Sequence, residues 1–378
     1  MNRTSTYLES KNHYPILDGL RGVASVLVIF YHVFETLGGG KFKQLINHGY
    51  LAVDFFFLLS GFVVAYAYDD RWNRMTIWDF CKRRLVRLQP MVIMGSIIGA
   101  ALFYFQVSPA FPAIAGTPVW EMLLVMVIGA TLIPVGHSLD IRGWGEMHPL
   151  NGPAWSLFFE YIANLLYALV FRRFSKLLLS IFVVLAAGNL VYYLVWGGHG
   201  DLIGGWSLDG RQLYIGFTRV LFPFFGGVLL CRLGMILRLK NAFWWASLLI
   251  IIVLCVPRIG DKPHSWMNGI YEAAIVIFIF PVIVSIGAGG ILHTIKSQKI
   301  CKFLGDISYP LYITHYPLIY CFTAWVVKNH IKMDGQSLLA GLLLVIVSLA
   351  IAYASLKLYD EPVREWLKKK ILMKKVRS

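Results

Sequence analysis

Two ionisable residues, Arg21 and His32, lie within the first long hydrophobic stretch of the sequence. They are eleven positions apart, so in an α-helix they share one face, roughly 16 Å apart along the axis. In a bilayer such side chains are costly and usually serve a substrate path, a proton relay or an ion pair. The pair therefore predicts acid/base chemistry. The structural alternatives are Arg21 reaching the membrane surface beside Asp18, and His32 bonding another helix.

The composition indicates that the bilayer is the main solvent of this chain. Of its 378 residues 58% are hydrophobic and only 15% are charged, which leaves too little polar surface for a soluble protein of this size. The net charge of +15 comes from basic residues between hydrophobic runs. Basic residues at these places set the orientation of membrane helices, so no nucleic-acid partner is expected. The five scattered cysteines lack metal-ligand spacing, so no metal is expected.

Ten hydrophobic runs approach the ~20 residues that a membrane-spanning helix needs. They are 16–36, 49–68, 90–107, 153–171, 177–196, 213–231, 241–256, 270–288, 303–326 and 337–359. A shorter run at 120–135 is expected to be re-entrant or interfacial. Only ten crossings keep the basic loops and the basic C-terminus together in the cytoplasm, along with the N-terminus. We therefore predict an all-α membrane protein, with one transmembrane domain over 1–367 and a basic cytoplasmic tail over 368–378.

This topology brings further ionisable residues to the depth of His32. Asp54, Glu160, Arg219 and His315 all fall in the outer halves of their predicted helices. Two histidines, two carboxylates and an arginine at one depth can form an acid/base cluster. A charge network that only holds helices together is the alternative.

A basic motif leads into the third hydrophobic run from the cytoplasmic side. It contains Arg83, Arg84 and Arg87. The positive-inside rule explains such a motif by itself. The functional alternative is a clamp for a phosphorylated cytoplasmic ligand, because arginine holds phosphate oxygens bidentately.

Several motifs along the chain resemble those of a known family. They are Asp18-Gly-Leu-Arg21 with Tyr31-His32, Ser60-Gly61-Phe62, Arg83-Arg84-x-x-Arg87-x-x-Pro90, Gly152-Pro153-x-Trp155-Ser156-x-x-x-Glu160, Ser308-Tyr309-x-x-Tyr312-x-x-His315-x-Pro317 and Glu361-Pro362. In order and spacing they are similar to the signatures of the bacterial membrane acyltransferases called acyltransferase 3. The resemblance runs from Leu17 to Pro362.

The resemblance implies an O-acyltransferase of the bacterial inner (plasma) membrane. Its members move an acyl group, often acetyl, from cytoplasmic acyl-CoA to a hydroxyl of a cell-envelope glycan or of a small molecule. His32 is then expected to be the general base, with Asp54 or Glu160 orienting its ring. Arg21 would orient the thioester carbonyl, and His315 would be a second acid/base or an acceptor-binding group.

The donor is expected at the cytoplasmic side of the bundle. Arg83, Arg84 and Arg87 would hold the phosphates of acyl-CoA, and Ser60 is counted with this site. The pattern leaves open a covalent acyl intermediate on His32 or Ser60.

Two other functions use the same residues. A proton-coupled transporter also has buried ionisable chains, but it predicts inverted repeats and broken helices in corresponding halves, and the sequence has no such symmetry. In a non-catalytic scaffold these residues would only fix helix packing. Turnover of radiolabelled acetyl-CoA distinguishes the three.

Overall fold

A computed structural model of the protein describes residues 11, 13–38 and 44–372. Residues 373–378 of the predicted cytoplasmic tail lie outside this part. Within it the regular structure is helical, apart from one isolated bridge between Ser108 and Phe111.

The described residues form fourteen α-helices. They are α1 (Pro15–Gly38), α2 (Ala52–Tyr68), α3 (Ile77–Leu102), α4 (Val119–Gly129), α5 (Ala154–Leu169), α6 (Lys176–Val191), α7 (Gly210–Leu233), α8 (Ala242–Cys255), α9 (Trp266–Ala274), α10 (Phe280–Gly289), α11 (Ile295–Thr314), α12 (Tyr316–Lys328), α13 (Gly335–Ser355) and α14 (Glu361–Leu367). Segments of π-helix continue α6 over Tyr192–Trp196, join α9 to α10 over Ile275–Ile279, and join α13 to α14 over Leu356–Asp360.

Each predicted hydrophobic run coincides with one of these helices or with two consecutive ones. Seven helical segments of the described residues are long and apolar enough to cross a membrane. They are Pro15–Gly38, Gly49–Tyr68, Ile77–Gln106, Lys176–Trp196, Gly210–Leu233, Trp266–Gly289 and Gly335–Leu372. The predicted class, an all-α membrane protein, is confirmed. With 11 residues, α4 is only about 16 Å long, too short to cross the ~30 Å hydrocarbon core.

The helix connections fall at two ends of the bundle. At one end Arg232 joins the carboxylate of Asp69 to the carbonyls of Phe171 and Phe174. We call this the basic end; it contains 69–76, 170–175, 234–241, 290–294 and 361–372. The other, the loop end, contains 44–48, 107–118, most of 130–153, 197–209, 256–265 and 329–334; the start of 130–153 lies deeper, where the carbonyl of Ala130 accepts a hydrogen bond from Gln89 of α3. There the amide of Met147 donates to the carbonyl of Trp206, at 2.7 Å.

Close backbone packing positions α1 against α11. A Cβ atom added at Gly22 would lie 2.3 Å from the carbonyl oxygen of Leu304, so only glycine allows this approach. Ten or eleven residues further along both helices the rings of His32 and His315 are stacked, with centroids 5.7 Å apart. The two helices therefore run parallel, and their register brings the two histidines together.

The helical path breaks at His315, between α11 and α12. Pro317 has no amide hydrogen, so the carbonyl of Ile313 loses its helical partner. The side-chain amide of Asn151 donates to that carbonyl instead, at 3.0 Å. The break is thus stabilised from the segment before α5.

Candidate active site

A carboxylate on α1 contacts the His32 ring. Nδ1 of His32 lies 3.0 Å from Oε2 of Glu35, and the Tyr31 hydroxyl donates to Oε1 of Glu35 at 2.9 Å. Both partners precede Glu35 by one helical turn, so the three side chains share a face. A carboxylate at Nδ1 holds the proton on that nitrogen and leaves Nε2 free to act as a base.

The second histidine is oriented by backbone carbonyls. Nδ1 of His315 lies 2.9 Å from the Tyr312 oxygen and 3.1 Å from the Leu311 oxygen. Carbonyls only accept hydrogen bonds, so Nδ1 carries the proton and Nε2 carries the lone pair. Nε2 is buried without a partner among the described residues. Buried polar atoms are rarely left so, which makes this nitrogen a candidate for contact with a reacting molecule.

The expected partnership of Asp54 with His32 is absent. Asp54 instead forms a buried ion pair with Arg219 at 2.7 and 3.3 Å. Arg219 also donates to the carbonyls of Tyr50 and Gly204, at 2.7 and 3.2 Å. This pair ties α2 and α7 to the loop end, which is the packing role considered above as the alternative.

Glu160 also lies away from His32. Its Oε1 atom accepts from Nη2 of Arg84 at 2.9 Å and from the Ser60 hydroxyl at 2.6 Å. Glu160 lies closer to the basic end than predicted, because α5 has only 16 residues. From Glu160 to the end of that helix is about 13 Å, and from the start of α3 to Arg84 is about 10 Å. Both side chains therefore meet at one level, and Arg84 is already neutralised.

Arg21 is directed toward the basic end. Its Nε donates to the Ser308 hydroxyl at 2.7 Å, and its Nη2 to Asp18 at 3.1 Å. A longer contact of 3.5 Å reaches the carbonyl of Gly305, ten residues before His315. The Arg21 guanidinium thus lies closer to the basic end than the histidine pair does.

Arg87 lies within electrostatic range of Arg21. The Arg87 side chain is exposed. It interacts electrostatically with Arg21 and Asp18 on α1 and with Arg364 and Asp360 at the C-terminal helices. Charges from three helical segments thus converge around the exposed side chain of Arg87. We call these five residues the basic vestibule. Arg83 is half-buried, and its Nε has no partner among the described residues.

A third polar cluster lies at the loop end. Glu146 accepts a hydrogen bond from Tyr320 at 2.5 Å and lies 3.6 Å from Nε of Arg142. Only 6% of its side chain is exposed. This burial raises the pKa of Glu146 to about 7, against the opposing effects of Arg142 and Tyr320.

The Glu146 cluster extends toward His32. Glu146 lines a recess with His137 and Asp140. A Cβ atom at Gly152 would lie within 3.0 Å of Tyr320, Tyr316 and Glu146 alike. The Tyr316 ring in turn lies 4.8 Å from the His32 ring. Side chains thus connect the recess to the histidine pair.

Sequence reasoning missed several residues of these sites, among them Glu35, Glu146, Asp360 and Arg364. Glu35 could have been found, because it follows His32 by three positions, the spacing of one helical turn. Arg364 had no such signal, since it begins a C-terminal run of basic residues that the positive-inside rule already explained.

Comparisons with known proteins agree on one family. Residues 14–357 match the acyltransferase domain family, acyltransferase 3. A protein from Rhizobium radiobacter, protein 2 in the picA locus, is 34% identical over 164 residues, which cover 40% of this chain and 80% of that protein.

Two longer relatives are named as O-acetyltransferases. The peptidoglycan O-acetyltransferase OatA of Listeria monocytogenes is 25% identical over 97% of this chain. The O-acetyltransferase OatA of Staphylococcus aureus is 22% identical over 94% of it. The matched parts cover 58% of each of these two relatives. No solved structure matches.

Proposed function

The chain belongs to the acyltransferase 3 family, and from that premise we propose that it is a membrane O-acetyltransferase using acetyl-CoA and a hydroxyl of a cell-envelope glycan. Membership makes it an acyltransferase, which favours the enzyme over the transporter and the scaffold. The names of the two OatA relatives support acetyl transfer, and that of the Listeria monocytogenes protein supports a glycan acceptor. Because both relatives are bacterial proteins, the proposed location is a bacterial plasma membrane.

The observation that carries this proposal is the histidine pair. His32 is held by Glu35, and His315 by the Tyr312 and Leu311 carbonyls, through Nδ1 in each case, so that neither Nε2 atom has a hydrogen-bond partner among the described residues. The rings are 5.7 Å apart. Two oriented imidazoles at a helix break can accept hydrogen bonds from two hydroxyls of one acceptor.

In the proposed reaction the acceptor oxygen attacks the thioester carbonyl carbon. Nε2 of His32 takes the hydroxyl proton, and Glu35 stabilises the imidazolium that forms. The tetrahedral intermediate then expels the CoA thiolate, which takes the proton from His32. The products are the acetyl ester and free CoA. Nε2 of His315 accepts a hydrogen bond from a second hydroxyl of the acceptor and so positions it.

The donor enters through the basic vestibule. Arg87 and Arg21 bind its phosphates, with Arg83 at the entrance. Arg84 is neutralised by Glu160, so it and Ser60 position the helices around the donor path. Arg21 lies roughly 16 Å from His32 along α1, which places it beside the phosphates or the pantetheine arm and away from the thioester carbon.

Replacement of His32 tests the base. We expect His32→Ala to reduce acetyl transfer from radiolabelled acetyl-CoA at least about 100-fold, since general-base catalysis typically contributes that much. The protein would be purified in lipid nanodiscs, with retention of CoA binding as the check on folding. His293→Ala is the matched control, because His293 is exposed on the loop before α11. Full activity of His32→Ala would remove this residue from the mechanism.

A further inference from the structure

The basic vestibule has an excess of positive charge. Arg21, Arg87 and Arg364 approach it from α1, α3 and α14, while Asp18 and Asp360 supply the only carboxylates of this group. Like charges disfavour one another unless an anion binds between them. The vestibule therefore favours an anionic ligand, and α14 is part of its wall.

Arg364 has unused hydrogen-bonding capacity. Its Nη2 contacts Oδ2 of Asp360 at 2.8 Å, and 17% of its side chain is exposed. Its Nε atom and Oδ1 of Asp360 are both buried without partners among the described residues. The ion pair thus uses one nitrogen of the Arg364 guanidinium and one oxygen of the Asp360 carboxylate. A guanidinium with a free Nε can still form the paired contacts that phosphate oxygens prefer.

Helix packing places Arg364 within electrostatic range of Arg87. Asp360 ends the π-helical segment Leu356–Asp360, and Arg364 follows one turn later on the same face. α14 packs against α3, the helix that carries Arg87. A π-helical turn redirects the side chains after it and is frequent at functional sites.

We propose that Arg364 is a phosphate-binding residue of the donor site, and that α14 forms one wall of that site. This inference rests on the proposed function, because it identifies the phosphate as one carried by CoA. A phosphate on a lipid headgroup has the same chemistry, and the experiment below separates the two sources.

The test compares ligands that differ in phosphate content. Full-length protein in nanodiscs of neutral lipid is titrated calorimetrically with CoA and with pantetheine, which carries no phosphate. Arg364→Gln should weaken CoA binding about tenfold, the effect of losing one charge-assisted contact, and should leave pantetheine binding unchanged. Arg364→Lys keeps the charge without the paired geometry, and we expect an intermediate loss.

Lys369→Gln is the matched control, because it removes one exposed positive charge from the same C-terminal segment. Its CoA affinity should stay within about twofold of the unsubstituted protein, as expected for a screened surface charge. A second arm measures CoA affinity in nanodiscs containing phosphatidylglycerol. If Arg364 binds a lipid phosphate, anionic lipid changes the effect of Arg364→Gln, and in neutral lipid the substitution has none.

The outcomes are distinct. Unchanged CoA affinity of Arg364→Gln in neutral lipid overturns the inference while leaving the proposed function standing. Equal losses in Arg364→Gln and Lys369→Gln also overturn it, because they indicate general attraction to positive charge. If the unsubstituted protein neither binds CoA nor transfers its acetyl group, the proposed function itself fails.

Discussion

At the scale of single residues, the pairing of ionisable groups separates candidate chemistry from packing. Asp54 and Arg219 satisfy each other in a buried pair, and Glu160 balances the charge of Arg84 through Nη2, although Nε of Arg84 has no partner among the described residues. Nε2 of His315 has no partner among the described residues, and Arg87 is exposed. A group already satisfied costs energy to recruit, whereas a free lone pair or an open guanidinium can meet a substrate at no such cost.

Glu35 is expected to act by positioning His32 and stabilising its charged form. We expect Glu35→Gln to lower kcat about 100-fold with little change in the KM for acetyl-CoA, because the donor phosphates bind elsewhere. Partial recovery in Glu35→Asp would support the role of the carboxylate. Steady-state kinetics with purified protein in nanodiscs measures both parameters.

Tyr31→Phe is the matched control for that prediction. It removes the other hydrogen bond to Glu35, the 2.9 Å contact with Oε1, and keeps the contact with His32. Its kcat should fall only a few-fold. If Tyr31→Phe and Glu35→Gln lose activity equally, Glu35 acts through packing of α1 and has no special relation to the histidine.

At the scale of helices and segments, the break between α11 and α12 positions the candidate active site. α11 ends at Thr314 because Pro317 cannot supply an amide hydrogen to Ile313. The loop-end segment 130–153 supplies that hydrogen bond through Asn151. The same segment contains Glu146, which bonds Tyr320 on α12. Thus this segment fixes both sides of the broken helix and contributes to the wall around the histidines.

The protonation of Glu146 links the stability of this segment to pH. Its pKa rises from the usual 4.5 to about 7 on folding because it is buried, so the folded protein holds this proton more tightly than the unfolded chain. The stabilising effect is complete below about pH 4.5 and is lost as the pH rises to 7. The total is roughly 3 kcal/mol at 1.36 kcal/mol per pKa unit.

Glu146→Gln should remove this dependence, because the amide stays neutral and its oxygen still accepts from Tyr320. We expect the Tm of this variant, relative to the unsubstituted protein, to be higher at pH 8 than at pH 5. Thermal unfolding in nanodiscs at both pH values measures the difference. Glu121→Gln, in the first turn of α4, is the control. A Tm difference independent of pH would show that Glu146 keeps its charge on folding.

At the scale of the whole molecule, the two polar sites lie toward opposite ends. The vestibule opens at the basic end, and the recess beside Glu146 lies at the loop end. The histidine pair lies between them, at the break after α11. In the proposed function a cytoplasmic donor and an outer acceptor meet there without either one crossing the membrane completely.

The sidedness of donor use tests this arrangement. The positive-inside rule predicts that the basic end faces the cytoplasm. Inverted membrane vesicles, which expose that face, should transfer acetyl groups from added acetyl-CoA, while right-side-out vesicles should not, because the charged donor does not cross the bilayer. Permeabilisation with detergent should make the two preparations equal. Equal labelling of both before detergent would contradict the predicted orientation of the donor site.

Much of this protein could be predicted from hydrophobic run lengths and local spacing. The runs predicted the helices because a bilayer demands ~20 apolar residues per crossing. The positions of Arg21 and His32 on one face of α1 followed from helical periodicity. The resemblance of several short motifs indicated the acyltransferase family, which the match over residues 14–357 confirms.

Tertiary structure alone decided which ionisable groups meet. Depth estimated from helix starts placed Asp54 and Glu160 beside His32, but the short α5 and the long segment 130–153 shift Glu160 to the level of Arg84. The meeting of His32 with His315 depends on the Gly22–Leu304 register, and that of Arg87 with Arg364 on the packing of α14 against α3. Hydropathy sets how often the chain crosses the membrane, whereas side-chain packing between helices sets their register and therefore the site.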